Sequence, residues 1–157
     1  MTMRRIAALC AATAVLASAG LTASPSPAGA AGPVKITAAY YDPFKGPDPN
    51  TTAGRNQEYI VLRNNGTQAV KLGAWKLHDV PRAGTTNTFR FPRFTLKPGK
   101  SVRIHTGAGT NTAADLYWGK THYVWGDDAD KATLQNRAGS IVSTCSWIST
   151  DTSPKYC

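Results

Sequence analysis

The stretch Glu58 to Asp79, EYIVLRNNGTQAVKLGAWKLHD, commits the chain to short strands joined by tight turns. Side chains on a strand alternate between faces, so Ile60 and Leu62 share one face, and Val70 and Leu72 resume it. Asn64-Asn65-Gly66-Thr67 supplies the backbone freedom that a hairpin turn needs. Gly73 lets the chain bend, after which Trp75 and Leu77 point inward and Lys76 and His78 outward. This spacing predicts a β-sandwich with Trp75 buried in its core.

The flanking segments keep the same rhythm. Val34 to Tyr41 reads as the first strand, with Val34, Ile36 and Ala38 on one face. Asp42 to Gly54, rich in proline and glycine, reads as a loop, with Phe44 either exposed or packed down as an anchor. Asn87 to Phe91 is a strand ended by Pro92, and Pro98-Gly99 makes a turn. Ser101 to Thr106 then sets Val102 and Ile104 inward and Ser101, Arg103 and His105 outward, as a half-solvated antiparallel sheet requires. No segment sustains a helical period.

Several segments also carry a resemblance. EYIVLRNNGTQAVKLGAWKLHD is similar to the strand-turn-strand core of the lamin tail domain. FRFPRFTLKPGKSVRIHTGAGT (Phe89 to Thr110) resembles that family's Phe-Pro, Leu-x-Pro-Gly and His-Thr-Gly segments. DLYWG (Asp115 to Gly119), DKATLQNRAG (Asp130 to Gly139) and VSTCSW (Val142 to Trp147) continue it in order. Gly126-Asp127-Asp128-Ala129-Asp130 departs from the Asn-rich turn usual in the family. The secreted bacterial branch is the closer likeness. The resemblance implies an all-β fold, an immunoglobulin-like antiparallel β-sandwich spanning residues 34–147, and no agreed activity; function has to be argued from sites.

Residues 1–30 read as a secretory signal peptide. Arg4 and Arg5 form a positive start, Ile6 to Leu16 an apolar run too short to span a membrane, and Ala28-Gly29-Ala30 a cleavage site, with Ala17-Ser18-Ala19 an earlier option. Residues 31–33 form a short extension, and residues 148–157 a C-terminal tail. The expected product is exported and has no transmembrane segment. Without Arg4 and Arg5 its formal charge falls from +9 to +7. That excess favours an anionic partner such as a cell-wall polymer, extracellular DNA or lipid headgroups, although charge also serves solubility. Two cysteines remain, Cys145 and Cys157, and an even count in an exported chain points to a disulfide. Two free thiols are the alternative.

No segment meets a catalytic motif. The Gly-rich Thr106 to Thr112 lacks the Lys-Ser/Thr pair and the helix of a phosphate loop. His78, His105 and His122 match no zinc spacing, and no Gly-x-Ser-x-Gly or HExxH is present. Glu58, the only glutamate, is expected to make an edge ion pair with an arginine. Asp127, Asp128 and Asp130 could hold calcium, but they lack the EF-hand spacing and its closing Glu. Trp118 and Trp125 bracket a loop and could form a platform for sugars or bases, although core packing explains at least one of them. Arg63, Lys76, Arg90 and Arg103 fall on outward positions and are the candidate anion contacts.

The sequence therefore describes a secreted, non-catalytic interaction module with no cofactor, meeting an anionic polymer or a protein partner. A nucleic-acid-binding accessory is the alternative, and a small metal-dependent hydrolase the third reading. Oligomeric state is not legible.

Overall fold

Three sheets account for the architecture. The computed structural model describes residues 32–157 apart from residues 45 and 83, so the expected signal peptide lies outside the described residues. The elements are β1 (Val34–Tyr40), α1 (Thr52–Arg55), β2 (Tyr59–Asn64), β3 (Val70–Lys71), β4 (Lys76–His78) and β5 (Thr88–Arg90). They continue with β6 (Thr95–Leu96), β7 (Ser101–His105), β8 (Asp115–Tyr117), β9 (Asp130–Gln135), β10 (Ile141–Trp147) and β11 (Lys155–Tyr156). One sheet has the order β11-β1-β2-β7-β8, the facing sheet β10-β9-β4-β5, and β3-β6 forms a small ribbon. This is an immunoglobulin-like β-sandwich.

The alternation read from the sequence builds the core. Ile36, Ile60, Leu62, Val102 and Ile104 face inward from the first sheet, and Leu77, Phe89, Leu134 and Trp147 from the second. Burying one such side chain is worth about 1.5–3 kcal/mol. The buried tryptophan at the centre is Trp147, stacked on Tyr41 with centroids 4.6 Å apart. Trp75 is only half-buried, contrary to expectation. It precedes β4 rather than lying in it, so inward parity leaves it at the rim of the sandwich, packed against the core.

Three further expectations are corrected. Asn64 to Thr67 does not close a hairpin, because β2 pairs with β1 and β7 while β3 pairs with β6. Instead the fully buried Asn64 side chain accepts from Gly66 N and donates to the carbonyls of Gln68 and Leu96. The bend before Trp75 takes its left-handed residue at Ala74 (φ 66°), not at Gly73. And β7 pairs with β8 in parallel, where only antiparallel pairs were expected. The loop between them folds tightly: Gly109 lies against the Tyr117 ring and Gly107 against Asn56, where a Cβ would clash.

Cys145 and Cys157 form a disulfide across a separation of 12 residues. It ties β10 to the chain end beside β11, which pairs with Ala38 and Ala39 of β1. Phe44 is half-buried.

Candidate functional site

Basic residues from three segments meet at one end of the sandwich. Lys71 ends β3 and stands opposite Thr95 of β6. The corner Gly73-Ala74 leads into Trp75, and the β5–β6 connection brings Arg93 and Phe94. Backbone bonds fix these walls: Leu72 N donates to Phe94 O at 2.8 Å, Ala74 N to Phe91 O at 3.1 Å, and Phe91 N to Trp75 O at 2.9 Å. Arg137 comes from the β9–β10 turn, where Asn136 Oδ1 accepts from Ser140 N and Gly139 takes φ 84°. Together Lys71, Trp75, Arg93, Phe94, Thr95 and Arg137 line a cleft of about 500 Å³.

The chemistry of this cleft is one-sided. No carboxylate lines it, and Lys71, Arg93 and Arg137 are exposed and make no ion pair or side-chain hydrogen bond among the described residues. Trp75 and Phe94 show part of their rings and rest the remainder on the core. Ala74 adds backbone strain at the same corner, since a non-glycine residue at positive φ costs roughly 1–2 kcal/mol. Lys76 and Arg90 stand opposite each other on the outer face of the neighbouring strands.

The four candidate cations therefore do not share a face. Lys76 and Arg90 belong to β4 and β5, whereas Arg63 and Arg103 belong to β2 and β7 of the other sheet. Arg103 is also engaged: its Nε donates to Asp115 Oδ1 at 2.7 Å. His105 bonds the same oxygen through Nε2 at 3.0 Å and faces Asn56 O through Nδ1 at 2.7 Å. Burial alone would raise Asp115, but the bonds from His105 and Arg103 outweigh it and hold that carboxyl below its ordinary range. His105 is thus buried rather than outward into solvent, stacked on Tyr117 in a row with Tyr59 and Tyr40. Tyr40 stacks on Tyr59 and His105 on Tyr117, with Tyr59 tilted 51° to His105.

The tryptophan platform is also corrected. Trp125 is 3% exposed and packs edge-on to Trp147, so it is a core residue. Trp118 is half-buried between Phe89 and Trp125, with Lys120 Nζ over its ring at 5.7 Å. Spacing within a loop does not reveal which ring the sandwich swallows.

Acidic groups gather at the opposite end. Glu58 is fully buried and finds no arginine among the described residues; its carboxyl accepts from Val124 N at 3.1 Å and Trp125 N at 2.8 Å. Burial pushes its pKa up to about 8, against the opposing pull of Thr106 and the two amides. The Thr106 hydroxyl lies near enough to favour the charged form yet makes no well-aligned bond. Asp130 is buried too, accepting from Val80 N, Gly126 N, Lys131 N and Arg82. It is a structural anchor and leaves the proposed trio. Asp127 and Asp128 line a second cleft with Asp48, and burial together with the charges of Asp48, Asp42 and Asp128 raises Asp127. Among the described residues no group of three or more His, Cys, Asp or Glu is arranged to hold a metal ion. His78 lies in the sheet facing that of His105, so those two histidines do not meet.

Lys71, Arg93, Phe94 and Arg137 were not singled out from sequence. Each sits beside a turn, at Gly73, Pro92 and Gly139, and that shared position was the available signal. No curated protein matched the chain. The family described as the Lamin Tail Domain matches residues 27–149, most of the sequence and every sheet-forming segment up to the end of β10. The chain belongs to the Lamin Tail Domain family.

Proposed function

We propose that this domain is a non-catalytic interaction module that seats an anionic partner in the cleft around Trp75. The observation that carries this reading is the trio Lys71, Arg93 and Arg137, unpaired and with no carboxylate among the cleft residues. Bringing three like charges together is unfavourable unless a counter-charge arrives, and an anionic ligand supplies one. Export places that partner outside the cell; the charged start and apolar run of residues 1–30 support this, and the Cys145–Cys157 disulfide suits an oxidising compartment. The cleft, rather than the strand positions Arg63 and Arg103, is the main contact, with Lys76 and Arg90 as flanking charges.

The test is a salt series. The exported chain is titrated with linear polyphosphate, alone and as Arg93→Glu/Arg137→Glu. Affinity should fall steeply as salt screens the cations, and the double reversal should abolish binding at low salt. Arg63→Glu, on the other sheet, should matter little. Salt-independent binding, or a double reversal that binds as well as the parent, would sink the reading.

A further inference from the structure

We infer that the unit held in the Trp75 cleft is an acidic sugar of a polysaccharide, its acid group on the cations and its ring against the indole. This deepens the anionic reading above and rests on it. The lining side chains decide the ligand's polarity. Lys71, Arg93 and Arg137 offer hydrogen-bond donors only, and the Thr95 hydroxyl is the sole side-chain acceptor. A group that docks here must itself be rich in acceptors, as a carboxylate or a phosphate ester is. A neutral sugar, whose hydroxyls donate as often as they accept, would leave its own donors unmatched. So would the N–H edge of a nucleobase turned into the cleft.

The aromatic pair decides the rest. A bare polyanion has no use for Trp75 and Phe94, whose rings are half-exposed and backed by the core. Such rings are held rigid, so little side-chain freedom is lost when a ligand covers them. The C–H face of a pyranose is apolar and fits an indole plane, whereas its substituents reach outward around the rim. Two of the three cations are arginines, whose planar forks match carboxylate and phosphate oxygens in pairs. The volume of about 500 Å³ admits a single sugar unit, and the position at the end of the sandwich lets the polymer continue on either side.

The experiment uses the exported chain and four probes: polygalacturonate, a glycosyl-phosphate polymer, linear polyphosphate and a thymidine oligonucleotide. Binding is followed by calorimetry for the parent, Trp75→Leu and Phe94→Leu, with thermal melts confirming that each variant is folded. The expected result is that both ring-bearing acidic glycans bind, and that Trp75→Leu weakens them about tenfold more than it weakens polyphosphate. The glycan that binds more tightly identifies carboxylate or phosphate as the preferred acid. If Trp75→Leu and Phe94→Leu weaken every probe alike, the sugar inference falls while the anionic reading stands. If the oligonucleotide alone depends on Trp75, the cleft is a nucleobase site and the inference is wrong. If no probe binds at low salt, both fall.

Discussion

β9 runs between two unlike ends of the sandwich. Before it lie Gly126 to Ala129 and the acidic cleft; after it lies Arg137 and the basic one. Six residues of strand separate them by roughly 20 Å. At the acidic end the buried carboxyl groups are used internally: Glu58 and Asp130 hold the backbone amides of residues 124–126, and Asp79 accepts from the backbone and side-chain amides of Asn87. At the basic end Lys71, Arg93 and Arg137 hold nothing among the described residues. The buried carboxyls are part of the fold, Asp127 and Asp128 stay exposed beside them, and the three cations of the cleft are exposed. Charge type alone did not indicate that; burial and hydrogen bonding did.

Two tryptophans, Trp147 in the core and Trp75 in the basic cleft, give the largest test of the contrast. Trp147 is fully buried, stacks on Tyr41 and donates from Nε1 to Gly126 O at 2.7 Å. Trp147→Ala should cost ~3–5 kcal/mol in urea unfolding, as core truncations of this size do. Trp75→Ala should cost less, because Trp75 is only partly buried at the rim of the core. Equal losses would mean that Trp75 is a core residue after all, and would weaken its assignment to a binding cleft.

Glu58 gives the next test, through pH. Its folded pKa of about 8 stands above the ordinary 4.5, so the folded state prefers the neutral carboxyl. The stability this group contributes is therefore fully present below pH 4.5 and is lost as pH rises through about 8. Glu58→Gln keeps one acceptor and cannot ionise. It should lose roughly 1–3 kcal/mol for the amide left unpaired, yet lose the pH slope as well. Urea midpoints of parent and variant at the two ends of that range would decide. A slope that survives in Glu58→Gln would show that another group is responsible.

The fold was largely legible because strand alternation is local: Ile60, Leu62, Val102 and Ile104 all point where period two put them. The disulfide was legible from cysteine parity. What failed depended on contacts between distant segments. Asn64 looked like a turn residue, and it is one, but its partner at Leu96 lies on another strand. Glu58 was given an arginine because sequence shows charges and not the amides of Val124 and Trp125. His105 had the outward parity of a solvent residue, but Tyr59 and Tyr117 close over it from both neighbouring strands. The candidate cleft was missed for the same reason, since its three cations are far apart in sequence and meet only after β3, β6 and β9 are in place.

The smallest expected effect is also the one that bears most directly on the comparison. Arg93→Gln combined with Arg137→Gln should leave stability within about 0.5 kcal/mol of the parent, the usual range for exposed positions without partners. Among the described residues neither guanidinium donates a side-chain hydrogen bond or makes an ion pair that its loss would break. Removing two like charges from beside Lys71 relieves repulsion, so a slight gain at low salt is the expected sign. Asp130→Asn at the other end offers the matched control. It weakens a buried carboxylate that holds three backbone amides and Arg82, and it should cost several times more. Measured in parallel at low and moderate salt, the pair separates the two roles. If the double arginine variant proves as costly as Asp130→Asn, those arginines support the fold, and the basic end is then no more a binding surface than the acidic one.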